Sequence, residues 1–105
     1  MDPTTVHAQA DDLVLLDVRE VTEWQAGHVA GALHIPMGEL GARQDEIPTD
    51  TQIVCVCRSG QRSAMVTGAL TRAGYDAANL EGGLLAWVEA KLPLTTPSGE
   101  PGRVV

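Results

Sequence analysis

A chain of 105 residues, 44% hydrophobic and 20% charged, has the size and composition of one soluble domain that buries a core without disulfides or a structural metal. Its formal net charge of −7 lacks the basic excess that nucleic acid and acidic membrane surfaces demand, and no apolar run approaches the roughly 18 residues of a membrane span. Met1-Asp2-Pro3-Thr4-Thr5 shows no basic stretch followed by an apolar one, so no secretory signal is read and cytoplasmic residence is expected.

The run Leu13-Val14-Leu15-Leu16-Asp17-Val18 stays apolar almost to its end, the pattern of a strand buried on both faces of a parallel sheet. Arg19 to Gln25 predicts a short helix with Gly27 as its C′ residue. Ala32-Leu33-His34-Ile35 reads as a short strand stopped by Pro36. Gly38 to Glu46 has weak helical character, with Leu40 and Ile47 as apolar anchors and Pro48 as terminator. Ile53-Val54-Cys55-Val56, apolar and mostly β-branched, predicts the central strand. Ser63 to Ala73 then sets Met65, Val66, Ala69, Leu70 and Ala73 on one face of an amphipathic helix that Gly74 closes, and Gly68 within it is expected to mark close packing on the sheet. Asp76 to Leu80 predicts a further strand. Gly82-Gly83 opens a helix with Leu84, Trp87 and Val88 turned inward, ending before Pro93. From Thr95 onward breakers dominate, which predicts a domain over residues 1–94 and a mobile tail over 95–105.

Strands alternating with helices at this spacing imply an α/β fold. The expectation is a small parallel sheet of four to five strands with helices on both faces. Ligands of such sheets bind outside the carboxyl ends of the strands. Cys57 ends one predicted strand, Asp17 another, and Glu81 follows a third, so one shared site is expected there.

The chemistry centres on Cys57-Arg58-Ser59-Gly60-Gln61-Arg62-Ser63, a strand-to-helix turn of the form C-x4-R. Backbone amides of consecutive turn residues can converge on an anion, and the helix that follows turns its positive end toward them. Ser63 is placed to cap that helix and to donate to the sulfur. Of only seven Lys and Arg residues, two, Arg58 and Arg62, fall within five residues of Cys57. Together they would lower the thiol pKa from its reference near ~8.5 and attract a small anionic ligand. Cys55, inside the apolar run, reads as a small buried hydrophobe. Two cysteines make no disulfide framework, and one C-x-C offers too few ligands for zinc. His7, His28 and His34 are all distant from Cys57 in sequence; His28 reads as structural, and a pairing with the thiol in space stays open. The loop contains no Asp or Glu. An alkoxide leaving group needs a general acid, whereas sulfite or a thiolate of low pKa leaves unaided, so attack on a sulfur–sulfur bond suits this loop better than ester hydrolysis.

Over about residues 11–94 the chain resembles single-domain rhodaneses, which are sulfurtransferases. The resemblance rests on Leu16-Asp17-Val18-Arg19-Glu20, Glu23-Trp24, Gly27-His28-Val29-Ala30-Gly31-Ala32 and Ile35-Pro36. It continues through the Cys57–Ser63 loop, Gly74-Tyr75, Glu81-Gly82-Gly83 and Ala86-Trp87. It implies that Cys57 takes sulfane sulfur from thiosulfate or a related small anionic donor as a persulfide, and passes it to cyanide or to a small-molecule or protein thiol. Amides of Arg58 to Ser63 would hold the persulfide, Arg58 and Arg62 would bind the donor's sulfonate, and no metal or organic cofactor is implied. Phosphatases and arsenate reductases of the same fold carry a loop longer by one residue, so the resemblance favours sulfur over phosphorus. A partner-binding or sulfur-relay module is the alternative from another class.

Around the loop, Asp17 and Arg19 are expected to orient neighbouring segments through hydrogen bonds. Trp24 and Trp87 are expected in the core, and Gly27, Gly31, Gly82 and Gly83 are expected in turns at positive φ. Family members often carry an extra strand before the one ending at Asp17. With about a dozen residues ahead of it here, that first strand is expected to be short or absent.

Overall fold

Leu13–Asp17 (β1), Leu33–His34 (β2), Gln52–Val56 (β3) and Ala77–Asn79 (β4) form one parallel sheet in the order β2-β1-β3-β4. The computed structural model describes all 105 residues, with four helices around this sheet: Pro3–Ala8 (α1), Val21–Ala26 (α2), Gln61–Arg72 (α3) and Gly83–Glu89 (α4). Because side chains alternate along a strand, the sheet feeds two cores. Leu15, Val54 and Val56 join Val6, Leu84 and Trp87 in one. Leu16, Ile53, Cys55 and Cys57 join Ile47, Val66 and Leu70 in the other. The register pairs Leu15 with Val54 and Leu16 with Cys55, so each core is continuous across β1 and β3. Apolar burial on both faces is what the uninterrupted hydrophobic runs require.

Connectivity places the site. From β1 the chain passes through α2 to β2 on one side of the sheet, and from β3 through α3 to β4 on the other. The two connections part between the carboxyl ends of β1 and β3, where Asp17 lies in register with Val56 and Cys57 follows. Such a switch point leaves a crevice in open parallel sheets.

No strand precedes β1, in keeping with a first strand short or absent; the N-terminal segment is helix α1, started by Pro3 and capped by the Asp2 carboxylate on the Thr5 amide at 2.9 Å. Several other expectations are corrected. The weak helix over Gly38 to Glu46 is two short 3-10 turns, Met37–Glu39 and Gln44–Glu46. Helix α3 buries Ser63, Val66 and Leu70, whereas Met65 is 65% exposed and Ala69 and Ala73 face solvent. Its apolar arc is wider than its contact with the sheet. A side chain at Gly68 would approach only the Arg72 guanidinium, so that glycine marks no contact with a strand. Val88 is exposed too. Trp87 is fully buried as expected, but Trp24 is half-buried and stacks on the rings of His28 and His34 with centroids 3.7 and 4.6 Å away.

The chain after Thr95 folds back on the body, where a mobile tail was expected. Thr95 and His28 exchange backbone hydrogen bonds of 2.8 and 2.9 Å, the Gly102 amide donates to Leu94, and the Arg103 amide donates to Ala26. Backbone pairing of this kind is indifferent to side-chain periodicity, which is why the composition concealed it. Gly27 makes it possible. Its φ of 169° is extended, contrary to the positive φ expected, yet a Cβ there would lie 2.4 Å from the Arg103 amide nitrogen. Gly31, Gly82 and Gly83 do adopt positive φ.

Candidate active site

Cys57 sits just past the end of β3, 1% exposed, at the floor of a turn whose donors converge on its sulfur. The Gly60 amide donates to Sγ at 3.1 Å, the Ser63 amide at 3.4 Å and the Ser63 hydroxyl at 3.2 Å. Gly60 can aim its amide this way because it holds a left-handed φ of 96° at the start of α3. Burial is the largest single influence on the Cys57 thiol and opposes ionisation. The Ser63 hydroxyl and the amides of Ser63, Gly60 and Ser59 together outweigh it, and the pKa lies below the ordinary thiol value. The arrangement favours a thiolate, the nucleophilic form.

Behind the turn, α4 clamps the loop backbone. The Leu84 amide donates to the Cys57 carbonyl at 2.9 Å and the Leu85 amide to the Arg58 carbonyl at 3.0 Å. Gly83 is obligatory there, since a side chain would lie 2.5 Å from the Arg58 carbonyl oxygen. Asn79, at the end of β4, holds the front. Its Nδ2 donates to the Gly60 carbonyl at 3.0 Å, and its Oδ1 lies 2.6 Å from the Ser63 hydroxyl. That hydroxyl has one proton and two acceptors, Asn79 Oδ1 and Cys57 Sγ. Ionising the thiol draws the proton toward sulfur; a neutral thiol leaves it to Asn79.

The remaining loop residues divide. Ser59 and Gln61 are exposed at the rim, and their side chains make no hydrogen bond. Arg58 is exposed, and its Nε donates to the Val105 carbonyl at 3.1 Å. Arg62 is the main departure from expectation. Its two terminal nitrogens grip both Glu23 oxygens at 2.8 and 2.9 Å, across the crevice from α2. The Arg62 guanidinium holds the Glu23 carboxyl below the usual carboxylate range against the opposing effect of burial, with help from the Glu20 amide. The loop itself lacks an acid, but folding supplies one to its second arginine.

Asp17 and Arg19 form a buried pair, 2.8 Å between Arg19 Nη2 and Asp17 Oδ2. Arg19 also donates to the carbonyls of Gly27 at 2.7 Å and Glu23 at 3.3 Å. A guanidinium on the last carbonyls of a helix is favourable, and here it anchors the end of α2 while the Glu20–Glu23 capping box fixes its start. The pair thus reaches the site through α2, which carries Glu23 to Arg62.

No three His, Cys, Asp or Glu side chains gather into a metal-ligating cluster, and no helix is long and apolar enough to cross a membrane. His28 bonds the Trp24 carbonyl and His34 the Arg19 carbonyl, so neither touches the thiol. Sequence reasoning missed the site roles of Glu23 and Asn79. A signal existed for Glu23, three residues after Glu20 as a capping box demands. For Asn79 the signal was a polar residue at the end of a predicted strand.

A profile of the rhodanese-like domain matches residues 2–90. The chain belongs to the rhodanese-like family. Among rhodanese-like relatives, a protein of Allochromatium vinosum named sulfurtransferase is 39% identical over 93 residues, covering 88% of this chain and 87% of its own. The putative sulfur carrier protein YrkF of Bacillus subtilis is 35% identical over 78 residues, 73% of this chain and 42% of that longer one. The crystal structure of a rhodanese-related protein from Thermoplasma volcanium superposes with a TM-score of 0.87 at 27% identity, covering 90% of this chain and 95% of that one.

Proposed function

We propose that this rhodanese-like protein is a sulfurtransferase that carries sulfane sulfur on Cys57. The observation that bears most weight is the convergence of the Gly60 amide, the Ser63 amide and the Ser63 hydroxyl on one sulfur at the carboxyl end of the central strand. The thiolate they favour attacks the outer sulfur of thiosulfate or a related donor. The donor's S–S bond breaks, its remainder leaves with the electron pair, and Cys57 becomes a persulfide. A thiophilic acceptor, cyanide or a thiol, then takes the outer sulfur and returns the thiolate. Arg58, exposed at the rim with its Nε on the Val105 main-chain oxygen, attracts the donor, and Asp17 with Arg19 positions α2 beside the site. The name of the Allochromatium relative supports this reading.

A protein thiol as acceptor is the second form of the same proposal, supported by the sulfur carrier name of the longer Bacillus relative. Intact mass spectrometry after incubation with a sulfane donor tests the core of the reading. One added sulfur on Cys57, removed by cyanide as thiocyanate, is expected. Absence of the adduct with every donor tried, or its persistence in Cys57→Ser, would overturn it.

A further inference from the structure

Beyond Leu94 the chain turns back toward the active-site loop. Residues 95–101 form a tight reverse turn, in which the Thr96 amide donates to the Glu100 carbonyl at 2.8 Å and the Gly99 amide to the Thr96 carbonyl at 2.9 Å. Gly99 holds a left-handed φ of 88° there. The return arm then passes the end of α2, where Gly102 and Gly27 lie too close for a side chain on either. Its Arg103 amide is bonded to Ala26, and Val104 packs half-buried on the core that holds Leu84 and Trp87. The Val105 main-chain oxygen then meets Arg58 Nε at 3.1 Å. A circuit closes: Arg58 to the return arm, the arm to α2, α2 through Glu23 to Arg62, and Arg62 through the loop to Arg58.

We propose that the return arm Gly102–Val105 is a positioning element of the active site, holding the Arg58 guanidinium by Nε so that its outer nitrogens receive the anion that approaches Cys57; this rests on the sulfurtransferase reading above. An exposed arginine spreads over many rotamers, and ordering it costs free energy each time it meets a ligand. Here one bond to the inner nitrogen orders the side chain beforehand. Nη1 and Nη2 bond no other part of the chain, so the pair that forks onto an anion is left for one. The arm bonds neither the sulfur nor the groups that donate to it: the Gly60 amide, the Ser63 amide and the Ser63 hydroxyl reach Sγ from the turn itself. Its effect therefore falls on capture of the anion and not on ionisation of the thiol.

Second-order rates of Cys57 alkylation by iodoacetate and by iodoacetamide, followed by intact mass, separate the two effects, since the reagents share a leaving group and differ in charge. Gly102→Val lifts the arm, because a Cβ there would lie 2.6 Å from Gly27 Cα, and it leaves the loop sequence intact. The iodoacetate-to-iodoacetamide ratio is expected to fall about threefold, the difference shrinking as salt is added. The pH profile of iodoacetamide alkylation should stay in place. In an Arg58→Ala background the same substitution is expected to change the ratio by less than about 1.5-fold, the non-additivity of an effect carried by one side chain. A chain stopped at Pro101 replaces Gly102→Val if that variant misfolds. An unchanged or raised ratio, or an equal fall with Arg58 absent, would overturn the proposal. In turnover of thiosulfate with cyanide the arm variants are expected to show a higher KM at constant kcat, and an unchanged KM would overturn the arm's role too. No sulfur loading by wild type would overturn the sulfurtransferase reading alone, with the alkylation ratio still deciding on the arm.

Discussion

Cys55 and Cys57 lie two residues apart, face the same core, and are covered almost equally, at 0% and 1% exposure. Their chemistry diverges. Burial pushes the Cys55 thiol up, and a single hydroxyl, that of Thr67, does not offset it. At Cys57 burial acts in the same sense, but a hydroxyl and three backbone amides reverse the outcome. The strand interior uses its amides to pair with its neighbours, so none is left for Cys55; where the strand ends, the amides of the turn are free to point at sulfur. The direction of each thiol's pKa shift follows the supply of unpaired N–H groups, not solvent access.

The contrast is broken most directly by exchanging the thiols' fates. Cys57→Ser is expected to reduce sulfur loading and thiocyanate production to background. Cys55→Ala should keep both within about threefold of wild type at a cost of about 1 kcal/mol in stability, typical of a buried truncation, read by denaturant unfolding beside the activity assay. Next in size is Ser63→Ala, which removes the hydroxyl donor. A hydrogen bond to a charged group contributes about 1.5–3 kcal/mol, so the thiolate present at fixed pH should fall about tenfold or more. The alkylation rate of Cys57 against pH would report it as a profile moved to higher pH. Asn79→Asp should move that profile in the same direction by less, because a carboxylate would hold the Ser63 proton away from sulfur and add repulsion to the thiolate; a shift to lower pH would contradict the proton-sharing geometry.

The smallest effect is on stability. Cys57 is an acid whose folded pKa lies below its ordinary value of 9.0, so the unfolded chain binds more protons between the two values. Its contribution is therefore fully present above 9.0 and is lost as pH falls through the folded value. Unfolding free energies of wild type and Cys57→Ser, measured across the alkaline range, should differ increasingly in favour of wild type as pH rises toward that limit.

Much of this was legible beforehand because the informative residues are local. Ile53 to Val56 announce a central strand, and Cys57 to Ser63 carry their own turn glycine, donors and helix start. The sheet's parallel α/β class follows from the same alternation. Glu23 and Asn79 resisted because they reach the loop from 39 and 16 residues away, through a strand order that periodicity does not encode. Arg62 was read as a free cation for the same reason. Met65, Ala69 and Ala73 misled differently: they continue the apolar arc of α3, but the sheet covers only the side that carries Val66 and Leu70. The chain after Thr95 was hidden because its contacts are main chain to main chain, for which Gly27 leaves room.

The clamp on the loop has a mechanical consequence. Cys57 is fixed by its strand, the Cys57 and Arg58 carbonyls are pinned from behind by the first amides of α4, and Gly83 leaves no slack between them. Such a ring behaves as a gauge of fixed bore. Its diameter would then be set by the number of residues between the strand and the helix, a collar pinned from behind in place of a loop free to stretch.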